Sequence, residues 1–215
     1  MLARKLTATS GRAVDWWRAG GAPEPVAVYQ PIGAASLAAS YVNLANPGTF
    51  DAAPGGAPTL GAAGWTFNGS TQFLTTGIIP TNDQQFSMIT RFSGATIGIN
   101  STVAGMFNNS IRQFRLLNAS AGAGVVYSNG TQNQSLPELA AGVLAIAGNQ
   151  GYRNGMADVT VTDWGGAATR DVYVAATNSG VANQFLNGNI QAIAIYSSTL
   201  TAPQVAAVSA AMAAL

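Results

Sequence analysis

The sequence contains no cysteine and no histidine, and only 17 of its 215 residues, nine basic and eight acidic, are charged. A typical soluble domain carries roughly 25% charged residues; here the share is 8%. Missing Cys and His remove thiol and imidazole nucleophiles, the commonest general base and the softer metal ligands together. Redox compartment cannot be read from a chain without thiols. Carboxylates are thin as well: the glutamates are Glu24 and Glu138, and the aspartates, Asp15, Asp51, Asp83, Asp158, Asp163 and Asp171, are scattered. No apolar run reaches the roughly 18 residues that span a bilayer. The start, residues 1–21, is basic but lacks the apolar core of a signal peptide, so neither a membrane span nor Sec export is expected. The polar surface must come from Asn, Gln, Ser and Thr.

The length fits one domain with an appendage, and such a chain buries about 70% of its unfolded surface without needing disulfides. Residues 1–30 hold six of the charges, Arg4, Lys5, Arg12, Asp15, Arg18 and Glu24, together with the adjacent Trp16 and Trp17. The breakers Gly20, Gly21, Pro23 and Pro25 close this stretch, which reads as an N-terminal arm. Residues 31–63 are rich in Ala, Gly, Pro and Asn and read as a lead-in that wraps a sheet edge.

From Trp65 onward, short runs alternate with turn dipeptides at the spacing of an antiparallel all-β domain. In Gln85–Phe92, alternation puts Phe86, Met88, Thr90 and Phe92 on one face and Ser87, Ile89 and Arg91 on the other. Further strands are predicted at 73–76, 111–117, 125–128, 143–147, 158–163, 172–175 and 189–196. Asn68-Gly69, Asn129-Gly130, Asn154-Gly155 and Asn187-Gly188 tolerate the positive φ of tight hairpins and predict turns. At 201–215 the period changes: Thr201-Ala-Pro-Gln204 has the form of a capping box, and Val205, Val208, Met212 and Leu215 recur at helical spacing. These features predict an all-β antiparallel sandwich of residues 31–215 with a short C-terminal helix.

Three segments together resemble the concanavalin A-like lectin/glucanase superfamily, particularly its laminin-G-like jelly rolls. They are Gly64–Thr76 with its Phe67-Asn-Gly69 turn, Leu144–Gly155 ending in Tyr152-Arg-Asn-Gly155, and Phe185–Val205 with Phe185-Leu-Asn-Gly-Asn-Ile190, Tyr196 and Leu200-Thr-Ala-Pro-Gln204. Val28–Gly48 also resembles the lead-in of such domains in tailed-phage virion proteins. The resemblance implies a non-enzymatic virion component, a capsid decoration or tail-associated protein, partnered by other virion proteins and by copies of itself. Because fold does not dictate function, a free carbohydrate-binding module and a glycoside hydrolase stand as alternatives.

Hydrolase members of such a family carry two carboxylates flanking the scissile bond; no pairing pattern selects two here, and no enzyme activity is expected. Calcium needs six to eight oxygen ligands. Asp158 and Asp163, five apart, point to opposite faces of an extended strand, so no metal and no cofactor is expected. Arg112 and Arg115, three apart on one run, likewise form no basic stripe, and with net charge +1 nucleic acid is not expected as the main partner. For glycans, the candidates are Tyr152, Asn154 and Trp164, aromatic and amide groups in or near expected loops. For assembly, they are Trp16, Trp17, Arg12 and Arg18, since exposed adjacent indoles would dominate a docking interface; the competing reading has the indoles cover the end of their own sandwich.

Overall fold

Alternation of apolar and polar residues gives an extended chain two distinct faces, and in this protein the apolar faces close on each other. The structure, a computed structural model, describes residues 15–80, 85–110, 112–118, 124–129, 131–135, 137–161 and 168–215. Its first strands in chain order are β1 (Ala27–Tyr29), β2 (Ala53–Gly56), β3 (Thr59–Gly61), β4 (Gly64–Asn68), β5 (Phe73–Thr75) and β6 (Ser87–Ser93). Next come β7 (Ser101–Asn109), β8 (Arg112–Asn118), β9 (Val125–Asn129), β10 (Thr131–Ser135), β11 (Gly142–Ala147) and β12 (Gln150–Arg153). The last are β13 (Met156–Thr160), β14 (Tyr173–Val174), β15 (Thr177–Asn178), β16 (Ala182–Asn183) and β17 (Asn187–Tyr196). A 3-10 segment, Trp16–Gly21, precedes them; α1 (Leu37–Ser40) follows β1, and α2 (Ala202–Ala213) closes the chain.

The first sheet has the order β13-β12-β11-β6-β17-β4-β3, with β1 also on β17. In the second the order is β10-β9-β8-β7-β14-β5-β2, with β15 on β7 and β16 on β15. Pairing is antiparallel except between β15 and β7. The two sheets form a sandwich around Phe67, Met88, Phe92, Phe114, Leu116, Tyr127, Leu144, Ile146 and Ile190. Each such side chain contributes roughly 1.5–3 kcal/mol on full burial.

The first sheet is buried on its other face too. There Ile89, Val143, Ala145, Ala147, Ala192, Ala194 and Tyr196 pack under α2 and the 3-10 segment. Strand β17 serves both sides: Ile190, Ile193 and Ile195 point inward, whereas Ala192, Ala194 and Tyr196 meet the helix. A bulge between Ile190 and Ala192 sets that alternation. Alanines on the outer face let α2 approach closely. The Gln85–Phe92 expectation is met in its alternation, with Met88 inward and Ile89 outward. Arg91, on the same outward side, donates from Nη1 to the carbonyls of Met212 (3.1 Å) and Leu215 (2.9 Å) and so satisfies the end of α2.

Residues 15–30 are not an appendage. Strand β1 pairs with β17 in the register Val28↔Ala194, and Trp16 and Trp17 are 2% and 8% exposed. The expected boundary at residue 30 therefore falls inside the sandwich, because completing β17's edge requires β1. The lead-in divides likewise, giving β2 to the second sheet and β3 to the first. The Asn-Gly turns differ in outcome. Asn154-Gly155 makes the β12–β13 hairpin with φ of 52° and 81°; β9 pairs with β10 in the register Asn129↔Thr131, and Gly130 lies outside the described residues. Asn68-Gly69 instead turns the chain from the first sheet to the second, Asn68 Oδ1 accepting from the amides of Ser70 and Thr71 at 3.0 Å. Asn187-Gly188 lies within β17, paired with Asn68 and Phe67.

Candidate functional site on the outer face of the second sheet

With α2 and the 3-10 segment over the first sheet, the second sheet's outer face is the broad one that no described helix covers. Its residues follow from alternation. Phe114, Leu116, Tyr127 and Val174 point inward, so Arg115, Ser128 and Tyr173 point outward. Register then aligns Thr75, Tyr173, Gly105, Arg115, Ser128 and Gln132 in one row across six strands. At its centre β7 and β8 approach so closely that a Cβ on Gly105 would lie 2.1 Å from Cβ of Arg115. Glycine at 105 is what admits Arg115 there.

Arg115 is held from two sides. Its Nη1 donates to Gln184 Oε1 at 2.9 Å and its Nη2 to Gln132 Oε1 at 3.0 Å. Its Cζ sits 5.1 Å from the centroid of the Phe107 ring, a cation–π contact. Gln184 Oε1 also accepts from Thr177 Oγ1 at 3.1 Å, and Thr177 shares a 2.6 Å hydrogen bond with Thr102. Burial lowers the guanidinium pKa to about 10, which still leaves it charged at neutral pH. Among the described residues it forms no ion pair. Arg115 Nε, Gln113 Oε1 and Ser128 Oγ are buried without a hydrogen-bond partner, an arrangement that is costly unless something else satisfies it.

Between this face and the β15–β16 hairpin runs a cleft of about 270 Å³ lined by Phe107, Arg115, Thr177, Ser179, Asn183 and Gln184. Its size lies near the lower end of ligand sites, which run from about 300 Å³. Beyond it, half-buried Phe73 stacks on Tyr173 with ring centroids 4.8 Å apart, and Phe185 is 6.1 Å from Phe73. The face thus combines amides, hydroxyls, one buried cation and aromatic rings.

The residues expected from sequence lie elsewhere. Tyr152 is 5% exposed in the core beneath α2, where burial raises its phenol pKa. Asn154 is the hairpin residue, and its Oδ1 accepts from the amide of Val143 at 2.9 Å. Trp164 and Arg12 lie outside the described residues. Trp16 and Trp17 meet edge to face at 5.5 Å inside the chain's own second core, which removes them as exposed docking anchors; indoles buried under a helix offer no partner a surface. Arg18 pairs with Asp15 at 3.7 Å and with Glu24.

The described carboxylates are engaged in holding backbone or cations. Asp51 accepts from the amides of Asn43 (2.8 Å) and Gly48 (3.1 Å), and Glu138 accepts from Gly98. Asp171 accepts from Gly77 (3.1 Å) and Asn178 Nδ2 (2.9 Å). Asp158 binds Tyr127, Ser135 and Arg153. No cluster of three or more acidic groups placed to hold a metal ion occurs among the described residues.

No protein-family model matches the sequence, and no curated protein matches it. Solved structures do. Domain 4 of AbnA, a GH43 extracellular arabinanase from Geobacillus stearothermophilus, in complex with arabinotriose, superposes with a TM-score of 0.64 at 15% identity, covering 86% of this chain and 98% of that one. A mutant of Trypanosoma rangeli sialidase displaying trans-sialidase activity superposes with a TM-score of 0.58 at 14% identity, over 88% of this chain and 33% of the enzyme. At such identities the likeness shows the fold alone, an antiparallel β-sandwich, and the chain spans about a third of the sialidase's length.

Proposed function

We propose that this chain is a non-catalytic glycan-binding module whose ligand lies on the outer face of the second sheet. The cleft at Arg115 carries the reading: amide and hydroxyl groups of Gln184, Asn183, Thr177 and Ser179 converge beside the Phe107 ring. Sugars offer dense hydroxyls along with apolar ring faces, and such a surface answers both. AbnA domain 4, a domain matched over nearly its whole length, is described in complex with arabinotriose, which supports oligosaccharide binding as work this fold does. The non-catalytic part is supported by the carboxylates, each described one being tied to backbone or to a cation.

A glycan array probed with the full chain tests this reading; binding is expected, and a blank array overturns it. Phe107→Ala and Gln184→Ala are each expected to weaken binding about tenfold, the loss of roughly 1.4 kcal/mol of contact, with the melting transition retained. Release of reducing sugar from any bound glycan would overturn the non-catalytic part. The setting we propose is a phage particle, as a capsid decoration or tail-associated protein, on the resemblance of residues 28–48. That segment supplies β1 and α1 to the sandwich. Mass spectrometry of purified virions checks the setting, which fails if the chain is absent from them.

A further inference from the structure

We propose that the Arg115 cleft receives the carboxylate of an acidic sugar, so that the module selects anionic glycans over neutral ones. The inference rests on the glycan-binding reading and adds the ligand's charge class to it. Arg115 is 7% exposed and lines the cleft, yet its protein partners are two neutral amide oxygens, from Gln184 and Gln132. An acidic residue in either position would have neutralised it. Glutamines keep the positive charge intact while fixing the orientation of the guanidinium plane.

A guanidinium has five N–H donors, and among the described residues two of these are used. Three remain, the buried and unpartnered Nε–H among them, and a guanidinium's planar donor set suits a carboxylate. Desolvation makes an unpaired charge costly, and an incoming anion recovers that cost on binding. Neighbouring charges point the same way. Arg170 Nη1 donates to the Phe107 carbonyl at 2.7 Å, and its Nη2 lies 3.1 Å from where a Cβ on Gly180 would stand, placing a second guanidinium against the β15–β16 hairpin. The carboxylate of Asp171, on that side of the sheet, is turned to Gly77 and Asn178. Thr177, Ser179 and Asn183 line the cleft beside the guanidinium; Thr177 Oγ1 is held by Thr102 and Gln184, and Asn183 Nδ2 donates to Ser179 Oγ at 2.5 Å, so the cleft's polar wall is fixed in place.

The experiment compares hexuronate- and nonulosonate-bearing oligosaccharides with their methyl esters, which remove the charge and add one methyl group, and with the corresponding primary amides, which remove the charge at nearly constant size. For the wild-type chain at low ionic strength, the acid form is expected to bind at least about tenfold tighter than its ester, the size of one charge-assisted contact. Arg115→Gln is expected to abolish the preference, acid and ester then binding with equal affinity. Equal binding of acid and ester by the wild type overturns the inference, and that comparison needs no variant to fold. Equal loss of acid and ester in a folded Arg115→Gln also overturns it, by making Arg115 a scaffold for the cleft. Binding confined to neutral glycans removes the charge assignment and leaves the glycan reading standing, whereas no binding to any glycan removes both.

Discussion

Asp158 shows how a scarce charge is used in this protein. From β13 of the first sheet, its carboxylate accepts from Tyr127 Oη on β9 at 2.9 Å and from Ser135 Oγ on β10 at 2.6 Å, both in the second sheet. Arg153 Nε closes on it at 3.2 Å while Nη2 of the same side chain donates to the Ser135 carbonyl at 3.0 Å. The cluster clasps the two sheets at one edge. Partial burial pushes the Asp158 pKa up, but the hydrogen bonds from Ser135, Tyr127 and Arg153 and the Arg153 charge outweigh it and hold the carboxyl below its ordinary value. A folded-state pKa below the unfolded one, about 3.9, adds stability that is fully present above that pH and is lost as pH falls through the folded value. Urea midpoints measured from pH 6 downward should therefore drop below about pH 4, and Asp158→Asn should flatten that part of the curve.

At the scale of elements, the 3-10 segment and α2 behave as one unit. A Cβ on Gly20 would lie 2.6 Å from Cβ of Ala207, so the segment touches the helix through bare backbone. Gln204 joins them: its Oε1 accepts from the Thr201 amide at 2.9 Å and its Nε2 donates to the Gly21 carbonyl at 3.0 Å. Losing that cap in Gln204→Ala should cost about 1 kcal/mol in denaturant unfolding. Trp17→Ala should cost about 3–5 kcal/mol as a large core truncation, with no change of oligomeric state in size-exclusion chromatography. Trp17 Nε1 is buried without a partner, so Trp17→Phe gives up no hydrogen bond and should cost under about 1.5 kcal/mol. An effect of either variant on oligomeric state would restore the docking role.

The whole molecule is a sandwich with one outer face sealed by α2 and the 3-10 segment and one that no described helix covers. Removing residues 1–24 would strip both indoles from the first sheet's outer face. A melting temperature lowered by several degrees and new binding of a hydrophobic dye are expected; an unchanged melt would mean the segment is an independent arm after all. Sequence determined much of this. Period-two runs foretold the strands, the change to helical spacing foretold α2, and the lack of His and Cys excluded most site chemistry, because each depends only on neighbours along the chain. Local signals ran out where a residue's role depends on what crosses over it. Asn187-Gly188 reads as a turn and is strand, since β4 supplies the partner that straightens it. Trp16 and Trp17 read as exposed on an arm and are core, since α2 returns from the far end of the chain to cover them. Arg115 could be given a face by alternation, but only pairing brings Gln132, Phe107 and Gln184 around it, from 17, 8 and 69 residues away. The site is thus a property of register and packing, which set long-range neighbours, whereas the sequence alone sets which way each side chain can point.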